Sequence, residues 1–240
     1  MSTANNGAKA AEGVEGGLTS AAGDADAATG LKVALSRWPR FVPALYEFNY
    51  RAANYLHQSR RLQLLPELPE QLWHSARVQD RLSAQVLQRA GIASSPCFDL
   101  PHRGWALALL PTARLARLAT HIGALAVGAS VRTSLSRDQV LAWKEKLGSD
   151  AYRFAMTSAS LLAIGKLPAL KAQQPIDLGY ALMAGEASRM PEGMRERFLL
   201  KLPPDLPAPG LDEDIARRLV QTAVNVIEGE WCSSIAPIRN

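Results

Sequence analysis

The sequence predicts an all-α fold: a single multi-helix domain, residues 30–240, behind a disordered N-terminal tail, residues 1–29. Three observations carry this. Apolar residues recur at helical spacing after residue 70, no convincing run alternates with the period-two pattern of strands, and the first thirty residues hold almost nothing that can pack. Apolar residues make up 48% of the 240, enough for a substantial core.

The elements follow in chain order. The tail is Ala, Gly and small polar residues, with Val14 and Leu18 its only larger apolar side chains, so burial cannot offset the entropy of ordering it. Residues 71–90 lack Gly and Pro and are rich in helix formers, and Gly91 marks a stop. Pro111 suits the first turn of a helix over 111–130, where Leu115, Leu118, Ile122, Leu125, Ala126 and Ala129 share one face. Arg114, Arg117 and His121 fall on another. Ser136 and Gln139 form a capping-box pattern before VLAWKEKL, Gly148 ends that helix, and Ser149 starts the next, which runs to Gly165. Shorter helices are expected within 177–189 and 191–201. PPDLPAPG, residues 203–210, is a stiff loop, because its prolines lack donors and fix φ. Asp212 caps a last amphipathic helix over 213–231, with Ile215, Leu219, Ala223, Val226 and Ile227 on its stripe.

The formal net charge is +5. In the tail Lys9 opposes Glu12, Glu15, Asp24 and Asp26, which leaves it at −3 and the other 210 residues at +8. Cys97 and Cys232 are far apart and suit a reducing compartment. With no secretory pattern at the start and no stretch of about 18 apolar residues, the expectation is a cytoplasmic protein without a transmembrane segment.

Catalytic and metal-binding patterns are missing. His57, His74, His102 and His121 form no HExxH, and no two of them stand at i,i+4. Gly123 and Gly128 have phosphate-loop spacing and Ser130 follows in place, but Ala129 stands where the lysine is needed to supply charge for the phosphates, so these glycines read as sites of close helix packing. Asp212/Asp214 and Glu228/Glu230 are i,i+2 pairs that point apart on a helix, which suits helix-end or solvated roles. The sequence therefore predicts no enzyme and no cofactor.

FNYRAANYLHQSRR, residues 48–61, concentrates aromatics and arginines. Across 30–61, Lys32, Arg37, Arg40, Arg51, Arg60 and Arg61 face one acid, Glu47, with Trp38, Phe41, Tyr46, Phe48, Tyr50 and Tyr55 between them. Such interleaving can grip nucleic acid, and a basic helical nucleic-acid-binding or regulatory protein is one reading. Aromatic core with a basic rim open to a protein partner is the other. No RNP, KH or zinc-finger signature supports the first, so no nucleic acid is expected.

The order of FNYRAANYLHQSRR, LPELPEQLW and LPTARLARLATHIGALAVGASVR resembles the SctK/YscK family of bacterial type III secretion systems. Phe48, Asn49, Tyr55, Leu56, His57, Leu68, Pro69, Leu72 and Trp73 carry the first part, and Leu110, Pro111, Leu115, Leu118, Gly123 and Gly128 the second. The resemblance spans roughly 45–235 and leaves the branch open, the plant-pathogen Hrp branch included. It implies an all-helical cytoplasmic scaffold of the sorting platform, peripheral at the inner-membrane base of the apparatus. There it would join the ring protein SctD to the pod protein SctQ, and through SctQ reach SctL and the ATPase SctN. It implies no catalytic residues. Phe48, Asn49, Tyr55, Leu56, His57 and Trp73 then read as a structural signature. Arg51, Arg60 and Arg61 are the candidate partner contacts, because charged side chains are rarely buried unpaired.

Overall fold

The computed structural model describes residues 29–30, 32–36, 38–93, 95–100, 102–158 and 174–235. Among them every regular element is a helix. Of the expected tail only Thr29 is described, and it is helical; the rest of the tail and the expected helix beyond residue 158 lie outside the described residues.

A single turn at Pro39–Phe41 leads into α1 (Val42–Tyr50). Then come α2 (Ala52–Tyr55), α3 (Gln58–Leu64), α4 (Glu70–Trp73), α5 (Gln79–Arg89) and α6 (Trp105–Ala108). The central part is α7 (Thr112–Ala126), α8 (Gly128–Arg132) and α9 (Arg137–Thr157). The C-terminal part is α10 (Pro175–Ala187), α11 (Glu192–Leu199), α12 (Glu213–Ile227) and α13 (Gly229–Ser234).

Helix α7 is the axis of the core and packs against α9, α10 and α12. Leu115, Leu118, Ile122 and Leu125 are almost fully buried in it, as the apolar stripe requires. Gly123 packs as expected: a Cβ there would collide with the Pro175 carbonyl, and a Cβ on Gly179 would collide with the Ala119 carbonyl. Small residues at i,i+4 on both helices let the two antiparallel backbones touch.

Several local signals hold. Ser136 Oγ accepts from Gln139 N at 3.2 Å, and Gln139 Oε1 accepts from Ser136 N at 3.5 Å, closing the capping box. Gly148 has φ 74° and breaks α9 where the sequence expects one helix to end and another to begin. Asp212 caps α12 by accepting from Asp214 N and Ile215 N. Residues 203–210 form no helix.

Three expected helices are each broken once. The 71–90 helix stops at Trp73 and restarts at Gln79. An unbroken helix would align buried Trp73 with exposed Arg77, Asp80 and Ala84 instead of Leu82, Ser83, Val86 and Leu87; the turn rotates the two faces into one core. The 111–130 helix pauses at Val127 before α8, and the 213–231 helix breaks at Glu228. In α12 the buried residues are Leu219, Val220 and Ala223, which leaves Val226 exposed, so the stripe is rotated away from Val226. His121, expected on a polar face, is buried: its Nδ1 faces the Arg117 carbonyl at 2.8 Å, and its ring packs on Phe154 of α9 at 5.3 Å.

Candidate functional site

The stretch 48–61 folds as three short helices separated by two breaks, at Arg51 and at Leu56–His57. Its aromatics build a hub. Phe48, Tyr55 and Trp105 are buried, with ring centroids of Phe48 5.8 Å from Tyr55 and 5.4 Å from Trp105. Tyr55 donates its hydroxyl to the Phe48 carbonyl at 2.7 Å, and burial pushes that phenol's pKa up. Leu56 is buried beside them.

Asn49 is buried and tied to a distant loop. Its Nδ2 donates to the carbonyls of Leu45 and Cys97, both at 3.1 Å, and its Oδ1 accepts from Cys97 N at 2.7 Å. His57 donates its backbone N–H to the Leu200 carbonyl at 2.9 Å, while Nδ1 accepts from Ser59 N and caps α3. Burial, then nearby Arg60, lowers its pKa, which suits a ring that must accept. Trp73 is buried with Arg61 over its face at 4.9 Å.

The three candidate arginines have different surroundings. Arg60 Nε donates to the Leu202 carbonyl at 2.7 Å and Nη2 to the Pro203 carbonyl at 3.4 Å, so it joins α3 to the turn after α11. Arg61 pairs with Glu70 at 3.2 Å, and its side chain is 18% exposed. Arg51 is more open than Arg61, at 43%; it pairs with Asp80 at 3.3 Å and lies over the Tyr46 ring. The fold does not gather all three on one site.

Beside Arg51 runs a groove of about 590 Å³, bounded by Tyr46, Tyr50, Asp80, Ala84, Leu87 and Ile92. Tyr46 and Tyr50 are 46% and 40% exposed, with ring centroids 5.1 Å apart. Both tyrosines stand out in the sequence, but the groove does not, because Leu87 comes from the far end of α5 and Ile92 from the turn after it.

Sequence reasoning missed three buried charges. Lys201 donates to the carbonyls of Ala108 and Leu110, both at 2.6 Å, and sits over Phe48 and Tyr55. Burial pushes its pKa down to about 7. Fully buried Arg197 donates to the carbonyls of Gly193, Ala93 and Ser95. Glu228 sits at a helix end, as expected, but is buried and paired with Arg114. Apart from Gly193, which lies one turn before Arg197 in α11, each partner is about a hundred residues away, so no local pattern announces it. These groups hold loops to helices, and among the described residues no cluster of His, Cys, Asp and Glu could hold a metal ion. No helix among them is long and apolar enough to cross a membrane.

A family model described as YOP proteins translocation protein K (YscK) matches residues 43–227. No curated protein and no solved structure matches the chain.

Proposed function

The chain belongs to the YscK family of type III secretion proteins, and on that premise we propose that it is a cytoplasmic scaffold of the sorting platform. In this reading it links an SctD-like ring protein to an SctQ-like pod protein at the inner-membrane base, and through SctQ connects to SctL and the SctN ATPase. It works by binding and not by catalysis. The observation that carries the reading is the family match, which runs from the first turn of α1 to the end of α12.

The surface chemistry supports a docking role. Exposed aromatics beside arginines are the residue types enriched at protein interfaces. Arg51, Arg60 and Arg61 remain the proposed contacts, with Arg51 foremost because its side chain is more open than that of Arg61 and, unlike Arg60, is not held by backbone carbonyls. Arg60 is held by the Leu202 carbonyl, and Arg61 lies over Trp73 and pairs with Glu70. The test is a pull-down of the tagged chain from cells that express the secretion operon. Recovery of the SctQ and SctD homologues is the expected result; recovery of neither overturns the reading.

A further inference from the structure

We propose that α5 is the ridge of a docking surface for an acidic protein segment with apolar anchors, which settle in grooves on both sides of it. The proposal rests on the docking role above and names the chemistry of one partner segment.

Asp80, Ala84, Leu87 and Gln88 share one side of α5 and line the Tyr46–Tyr50 groove. Arg89 comes off the other side and meets Leu65, Pro66, Glu67 and Leu68 around a second groove of about 350 Å³. Exposed Arg81 and Gln85 form the crest between them. Both grooves have apolar walls, so each can take a leucine or an aromatic side chain.

Charge then selects the occupant. Arg77, Arg81 and Arg89 are exposed and make no ion pair with any described residue, whereas Arg51 and Arg61 nearby are paired with Asp80 and Glu70. Three unpaired guanidiniums on one helix and its entry turn favour carboxylates, which they can bind through two hydrogen bonds each. A nucleic acid fits less well. Asp80 stands in one groove and Glu67 in the other, and both repel a phosphate backbone, while a peptide can place a neutral apolar side chain beside them.

The test uses the full chain and a labelled synthetic peptide of about 18 Glu, Leu and Ala residues, patterned as an acidic amphipathic helix. The expected result is saturable binding that weakens at least about tenfold when Arg77, Arg81 and Arg89 all become Glu, and again when Tyr46 and Tyr50 become Ala. Changing the same three arginines to Ala should give an intermediate loss, and melting curves of each variant confirm folding. Equal binding of poly-glutamate would remove the anchors from the account and overturn it. Tighter binding of a short DNA duplex would do the same, as would displacement by a peptide of residues 1–28, which makes the chain's own acidic tail the occupant. Peptide binding through α5 without recovery of secretion proteins sinks the scaffold reading alone; recovery of those proteins undiminished by the triple reversal sinks this one alone.

Discussion

Gly123 and Pro175 meet backbone to backbone where α7 crosses α10, and one turn along the same contact is repeated by Gly179 and Ala119. The crossing is reciprocal: each helix contributes one glycine, and each glycine faces a carbonyl of the other helix. Helices α9 and α12 pack on α7 as well.

Gly123→Ala should therefore force the helices apart. The clash is with backbone and cannot be relieved by a rotamer change. The expected cost is about 1–3 kcal/mol, which for a domain of this size lowers Tm by roughly 3–10 °C. Gly185→Ala, on the same α10 but with open space around it, is the control and should be neutral or slightly stabilising. Thermal melts of the two variants check the pair; equal Tm values would mean that the helices do not touch at Gly123.

Leu56 tests whether the signature is core or contact. It is buried beside Phe48 and Tyr55, so Leu56→Ala should cost about 2–5 kcal/mol in urea unfolding. A variant that keeps full stability but loses a binding partner would reverse that reading and make the segment a contact surface.

Lys201 gives a pH signature. Burial holds its pKa at about 7 in the folded chain, against 10.5 for an exposed lysine. Between those values the unfolded chain holds a proton that the folded chain has released, so stability rises with pH across the window and is lost again as pH falls towards 7. Lys201→Met removes this titrating amine. The stability of wild type minus variant should climb between pH 7 and 10, by an amount on the order of 4 kcal/mol at most. A flat difference would mean that the amine is solvated and ordinary.

The sequence carried the signals that act over a few residues. Ser136 with Gln139, Asp212 and Gly148 each do locally what their residue types dictate, and the spacing of Gly123 suffices to suggest a close approach. The break after Trp73 was not legible, because no Gly or Pro interrupts 71–90; those at Val127 and Glu228 each stand before a glycine, Gly128 and Gly229, a weak local signal that a single position does not turn into a stop. At Glu228 the partner is Arg114, on another helix. The same holds for the candidate site. The density of aromatics in 48–61 is visible in the sequence, but which arginines are tied down depends on Leu202, Glu70 and Asp80, and the grooves beside α5 depend on Leu87, Ile92 and Leu65.

The three candidate arginines should separate when changed one at a time. Arg60 supplies charge-assisted hydrogen bonds to the carbonyls of Leu202 and Pro203, so Arg60→Ala leaves those carbonyls without a donor and should cost about 1–3 kcal/mol. Arg61→Ala loses its cover of Trp73 and an exposed pair with Glu70, and should cost less, about 1 kcal/mol. Arg51→Glu replaces a solvated pair with Asp80 and should leave stability within about 0.5–1 kcal/mol of wild type. Binding should rank in the opposite order if Arg51 is the foremost contact: Arg51→Glu weakens capture of the acidic partner most per unit of stability lost. Wild-type capture should itself fall as salt rises, because exposed charges are screened within about 8–10 Å near physiological ionic strength. Circular dichroism and melting curves fix the stability order, and titrations at low and high salt fix the binding order. Capture that follows stability alone, with Arg60→Ala the weakest binder and Arg51→Glu unchanged at every salt concentration, would remove Arg51 from the interface and leave the three arginines as parts of the scaffold.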